Sequence, residues 1–193
     1  MKITKIQTKA GQFRAPVSTE LSVVVERMRS PKTKEAADRI AAIALQSRLM
    51  MQHGMPRYFI EDSDRLPYLL FSATFGRSLS KPIAFTGLVL LTIPCPEGIR
   101  QVTELRRRVS QIPYTLLAFA GVSGVTLKVV VRCEYQQETL DADDYTAFLR
   151  DAHESAGRLY TSLAKCNLLV GEARLTDGCR MSYDPHLLVY QRR

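Results

Sequence analysis

Apolar and polar positions alternate most regularly between Pro113 and Arg132, PYTLLAFAGVSGVTLKVVVR, where two apolar runs flank the small-residue turn Gly121-Val122-Ser123-Gly124. In the second run Val125, Leu127, Val129 and Val131 fall on one side and Thr126, Lys128, Val130 and Arg132 on the other, the period of two of a strand with unlike faces. The stretch predicts a β-hairpin whose aliphatic face turns inward. Lys128 and Arg132 then share the outward face, about 13 Å apart at the usual rise per residue.

The pattern before this hairpin predicts a smaller lobe. Met1 to Gln7 alternates Ile3 and Ile6 with lysines, and Lys2 and Lys5 suit a short edge strand. Ser18 offers an N-cap to a helix carrying Leu21, Val24, Val25 and Met28, which Pro31 stops. A second helix from Thr33 carries Ala36, Ala37, Ile40, Ala44 and the Leu49 to Met51 cluster until Gly54 and Pro56 end it. Arg65 to Ser72 reads as a strand entered through Pro67. The Gly76 to Pro82 loop that follows marks the lobe boundary, giving an N-terminal α/β lobe over 1–80 and a second lobe over 81–193 that together form one compact unit. Arg77, Ser78, Ser80 and Lys81 in this loop suit phosphate, although a solvated connector has the same composition.

From Phe85 the pattern becomes regular. FTGLVLLTI is nearly continuous in apolar residues, as in a strand buried on both sides. Pro96 and Glu97 open a helix with Ile99, Val102, Leu105 and Val109 inward and Arg100, Arg106, Arg107 and Arg108 outward. Beyond the hairpin, Asp141 caps a helix in which Tyr145, Phe148, Leu149, Ala152, Ala156, Leu159, Tyr160 and Leu163 recur at three- and four-residue steps. Cys179 to Tyr183 alternates again, with Arg180 and Ser182 on one face, and a last short strand runs from Leu187 to Tyr190. Strand, helix, strand, strand, helix, strand is the order of a split βαβ sheet. The expected fold is therefore α+β: a ferredoxin-like, RRM-like βαββαβ sheet with helices on one face, beside the smaller N-terminal lobe. The other sheet face is then free to carry Lys128, Arg132 and Arg180, a platform that suits RNA or nucleotide recognition.

Composition narrows the partners. The 193 residues are 46% hydrophobic and 24% charged, as in an ordinary soluble globular protein. Lys and Arg total 27 against 19 Asp and Glu, a formal +8, which favours an anionic partner such as nucleic acid or nucleotide. Cys95, Cys133, Cys166 and Cys179 form no C-x-x-C pair and have no His at ligand spacing, so neither a zinc site nor a disulfide framework is indicated. The amino terminus lacks an apolar leader core, and no apolar run is long enough to span a membrane, so a cytoplasmic protein without a membrane partner is expected. His53, His153 and His186 sit in unrelated contexts, and neither a G-x-S-x-G elbow nor a Walker A loop is present. Ser123, between glycines and without a nearby base, reads as a turn residue or phosphate donor rather than a nucleophile.

Pro113-Tyr114-Thr115 through Ala118-Phe119, then Ser123-Gly124 and Lys128, and finally Cys179-Arg180-Met181-Ser182-Tyr183-Asp184-Pro185 resemble the VirE N-terminal domain family of bacterial mobile elements. The Leu66-Pro67 strand and Thr86-Gly87-Leu88 fit the same pattern, so the likeness covers most of residues 60 to 190. That family is similar to the archaeo-eukaryotic primase and primase-polymerase superfamily. The resemblance implies an acidic pair near Leu91-Thr92-Ile93-Pro94, a Ser-Gly turn leading to a phosphate-contacting base at Ser123, Gly124 and Lys128, and a third motif at Arg180, with Glu172 or Asp177 as its acid. It also implies DNA replication as the setting and a helicase or other replication protein as a companion.

This chain departs from the implied pattern at the acidic pair. Two-metal phosphoryl transfer needs carboxylates on both ions, and Thr92 and Pro94 supply none. Glu97 is the nearest acid, at a position suited to a helix dipole. The expectation is a primase-like domain that binds single-stranded DNA or nucleotide through Ser123, Gly124, Lys128, Arg132, Arg180 and Ser182, with a degenerate metal site and no cofactor. Two alternatives stand beside it. An active primase-polymerase would draw Mg²⁺ or Mn²⁺ ligands from Glu97, Asp177 or Asp184, and an interaction module of a mobile element would use the sheet face to dock a protein.

Overall fold

The computed structural model describes residues 1–9, 12–31, 66–134, 142–168 and 173–190, with scattered positions between 33 and 49. In chain order the elements are β1 (Lys2–Lys9), β2 (Gln12–Glu20), α1 (Leu21–Arg29), β3 (Tyr68–Leu70), β4 (Ala73–Phe75), β5 (Pro82–Phe85) and β6 (Leu88–Pro94). There follow α2 (Ile99–Val109), β7 (Thr115–Ala120), β8 (Thr126–Arg132), α3 (Ala142–Ala164), β9 (Gly178–Arg180) and β10 (Leu188–Val189). The class is α+β. One antiparallel sheet has the order β2-β1-β3-β9, a second has β10-β7-β8-β6, and β4 and β5 form a separate hairpin.

The second sheet grows from the pattern that predicted it. β8 lies between β7 and β6, and its alternation sends Leu127, Val129 and Val131 to the side where α2 contributes Val102, Leu105 and Val109 and α3 contributes Leu149, Ala156 and Tyr160. The hydroxyls of Thr115, Tyr160 and Tyr145 find partners in this layer. The Thr115 hydroxyl and the Tyr160 hydroxyl lie 2.6 Å apart, and the same Thr115 group contacts the Val109 carbonyl at 2.7 Å. Tyr145, stacked on Phe85 at 3.8 Å, accepts from the Gly87 N–H and donates to the Ser72 carbonyl, each at 3.0 Å.

The opposite face of this sheet is not free. Leu88, Leu117, Phe119 and Val130 pack against Ile3, Leu69, Phe71 and Cys179 of the first sheet and its neighbourhood, and against Val24, Val25 and Met28 of α1. The open basic platform is thereby corrected. A face bearing those apolar side chains gains roughly 25 cal/mol for each Å² removed from water, and the N-terminal strands present a matching face.

Other expectations change for local reasons. β1 is an inner strand of its sheet rather than an edge. The edge is β2, which the sequence reading did not anticipate; its Pro16 is tolerated because an edge strand leaves N–H groups unpaired. Ser18 lies within β2, so α1 begins behind Glu20 with no side-chain cap. The Gly76 to Pro82 loop joins β4 to β5, and β9 crosses from the C-terminal half to complete the N-terminal sheet. The expected fourth strand at Cys179 therefore pairs with β3, and β10 adds to the β7 edge. Ile99, expected inside, is exposed. The helix expected from Thr33 falls mostly outside the described residues, as do Asp141 and Glu172.

Candidate functional site

Register across the second sheet sets Phe119, Lys128 and Thr92 in one row, since β8 Lys128 opposes Phe119 of β7 and Thr92 of β6. The Lys128 ammonium donates to the Thr92 hydroxyl at 2.8 Å. The row lies on the face that the first sheet covers, but near its margin: Leu90, Thr92, Pro94, Thr126 and Lys128 are all half-buried. Burial lowers the Lys128 pKa from its ordinary 10.5, a shift the nearby Cys179 thiol opposes weakly. Cys179 itself is pushed up to about 11 by burial, with Lys128 pulling it the other way. Among the described residues the Lys128 ammonium meets no carboxylate. Thr92, where the resemblance implied an acid, is instead a neutral acceptor.

The turn ahead of Lys128 is built for shape. Gly124 has φ +70°, a conformation that glycine adopts without strain, and its N–H donates to the Gly121 carbonyl at 2.9 Å. The Ser123 hydroxyl turns back toward the Val125 N–H at 3.4 Å. Ser123 thus acts within its own turn.

The other expected contacts do not converge on Lys128. In β9 the period of two sends Cys179 between the sheets, toward Lys128, and Arg180 to the outer face of the first sheet. There the Arg180 guanidinium donates to the Leu66 carbonyl at 2.9 Å and lies over the rings of Phe13 and Tyr68, 5.2 and 5.3 Å from their centroids. Arg132 shares the face of Lys128 but stands at the far end of β8, beside Leu88 and a cavity lined by Tyr114 and Tyr190. A joint grip by Lys128 and Arg180 is corrected on this geometry.

Ser182 and Asp184 brace the fold. The Ser182 hydroxyl donates to the Ala120 carbonyl at 2.6 Å, and the Ala120 N–H donates to Asp184 Oδ2 at 2.7 Å. Oδ2 also pairs with the Arg106 guanidinium, while Oδ1 accepts from the His186 N–H at 3.0 Å. Asp184 is 4% exposed and Arg106 9%. The expected outward arginine face of α2 holds for Arg100 and Arg107, which are exposed, and is corrected at two positions: Arg106 is buried, and Arg108 donates to the Ala164 carbonyl at the end of α3, at 3.1 Å. This pair was readable in retrospect, because position 106 lies on the same helical stripe as Val102 and Val109.

The acids proposed as metal ligands stand apart in role. Glu97 is exposed ahead of α2, with its N–H on Gln101 Oε1 at 3.1 Å. Asp177 is exposed and closes a turn by accepting from the Arg174 N–H at 2.8 Å. Among the described residues no three His, Cys, Asp or Glu side chains come together as a metal site. Nor is any helix among them long and apolar enough to cross a membrane.

Residues 61–189 match the family described as BT4734-like, N-terminal domain. The chain belongs to that family. No curated protein and no solved structure matches the chain. The BT4734-like span takes in β3 to β10, and with them Thr92, Lys128, Arg132, Arg180 and Asp184. Strand β1 and helix α1, which contribute Ile3, Val24, Val25 and Met28 to the cover of the Lys128 face, precede the BT4734-like match, as does β2.

Proposed function

We propose that this chain is a primase-polymerase-like module, similar to the VirE N-terminal domains of mobile elements, that holds a nucleotide phosphate or single-stranded DNA at Lys128 and carries out little or no nucleotidyl transfer. One observation carries the reading. Lys128 is a half-buried ammonium whose partner is a hydroxyl and which, among the described residues, has no counter-charge. Holding a cation out of water without an anion is costly, so a phosphate at the margin of the covered sheet face recovers that energy and adds charge-assisted hydrogen bonds.

Further support comes from topology. β8 lies between β6 and β7, as a ferredoxin-like or RRM-like sheet requires, although β10 joins β7 and not β6. The family match over 61–189 is to the BT4734-like family, so the VirE-like part of the proposal rests on the residues that carry that resemblance. The divalent ions that a primase-polymerase uses do not fit here: Thr92 and Pro94 carry no carboxylate, and both oxygens of Asp184 are engaged. A cytoplasmic setting and a replicative helicase as companion belong to the same proposal.

Fluorescence anisotropy with a labelled oligothymidylate tests it. Wild type binds, and Lys128→Met weakens binding about tenfold, in the range of a hydrogen bond to a charged group. The log-log salt slope falls by about 0.7, the value for one lost phosphate contact on a single strand. Burial places the Lys128 pKa below 10.5, so affinity decays on the alkaline side at a lower pH than an ordinary lysine would allow. Wild type that ignores the strand at low salt would overturn the proposal in favour of a protein-docking module. Nucleotide incorporation with Mg²⁺ or Mn²⁺ would overturn its non-catalytic half.

A further inference from the structure

Three strands end together at the corner of the second sheet farthest from Lys128. The Tyr190 N–H donates to the Leu116 carbonyl and the Arg132 N–H to the Tyr114 carbonyl, each at 3.0 Å, so backbone pairing sets Tyr190, Tyr114 and Arg132 side by side. The β7–β8 register shifts between Thr115 and Leu117, a bulge of the kind that re-aims side chains at a sheet end. The three residues line a cavity of about 410 Å³, with Glu134 on its wall. A second cavity of about 760 Å³ shares Leu116 and Arg132 and continues past Arg29 and Glu26 of α1.

Tyr114 is 55% exposed and Tyr190 40%, two partly solvent-exposed rings on the same cavity wall as a cation. Arg132 is half-buried, and among the described residues its guanidinium has neither a hydrogen bond nor an ion pair. Exposed aromatic rings next to an arginine form the stacking platform that single-stranded nucleic acid uses without regard to sequence. We infer that this corner is a second nucleotide subsite, in which a base stacks on Tyr114 or Tyr190 and its phosphate rests on Arg132. The continuation past Arg29 favours one unit of a strand over a free nucleotide: its guanidinium donates one N–H to the Leu187 carbonyl at 3.2 Å and offers its remaining N–H groups to the next phosphate. The inference rests on the nucleic-acid reading above and adds a contact at the opposite end of β8.

Photocrosslinking of the wild-type chain to single-stranded DNA carrying 5-bromodeoxyuridine, mapped by mass spectrometry, is expected to place adducts on Tyr114 or Tyr190. In anisotropy titrations Tyr114→Ala and Tyr190→Ala each weaken binding about tenfold, the scale of one stacked base. The Phe replacements keep it, and Arg132→Gln lowers the salt slope by about 0.7. Adducts confined to other residues, with these variants binding as wild type, overturn the subsite while a weakened Lys128→Met leaves the broader reading standing. Absence of any strand binding by wild type overturns both. Thymidine monophosphate bound as tightly as the strand overturns the assignment to a strand.

Discussion

Asp184 shows how a residue type with two uses is resolved by its surroundings. A carboxylate in the SYDP segment suits a metal ligand, yet here it holds the Arg106 guanidinium and two backbone N–H groups in a site closed to water. Removing one partner of such a pair leaves the other charge buried, at a cost of about 3–5 kcal/mol. Asp184→Ala is therefore expected to lower the urea midpoint strongly, and a loss of that size is what a bracing role requires. A variant as stable as wild type would return Asp184 to the list of free acids. Lys128 is the reverse case: its charge has no internal use that the described residues reveal, and that is why it, and not Arg106, is the candidate contact.

At the scale of elements, the short strand β9 decides most about the site. Gly178 opposes Leu70 so closely that a Cβ there would clash with the Leu69 carbonyl oxygen. Gly178→Ala must then push β9 off β3, and a destabilisation of about 2 kcal/mol or more is expected, within the range for backbone and packing clashes. Chemical denaturation measures it, and an unchanged midpoint would show that β9 pairs more loosely than described. The same strand explains what the sequence pattern conveyed and what it did not. Alternation at Cys179, Arg180 and Met181 was legible, but which sheet the strand joins was not, because a run of three pairing residues carries no information about a partner more than a hundred positions away. The β6, α2, β7, β8 and α3 segments were legible because each is long enough for its period to repeat. Ile99 failed at a helix end, where the stripe has only one neighbour to define it.

For the molecule as a whole, β1 and α1 act as the N-terminal part of the cover of the second sheet. They help to bury Leu88, Leu117, Phe119 and Val130, although they precede the span that matches the family. A chain shortened to begin after residue 31 would lose β1, β2 and α1, expose that apolar face and leave β3 without its inner neighbour. It is expected to bind a hydrophobic dye and to aggregate at concentrations where the full chain does not; a truncated chain that stays monodisperse and dye-silent would show that the cover is dispensable.

The order of strands and helices from β6 to α3, the identity of the aliphatic stripe on β8, the turn at Gly121 to Gly124 and the missing acid at Thr92 are properties of neighbouring residues, and the sequence by itself determined them. Whether a sheet face is open or covered, whether Arg106 points out or in, and whether Lys128 and Arg180 meet depend on which apolar face packs on which, and only the tertiary structure decided those. The physical reason is range. Periodicity is set by bond geometry within a few residues, whereas burial is settled by the competition of all apolar surfaces for the same water-free interior.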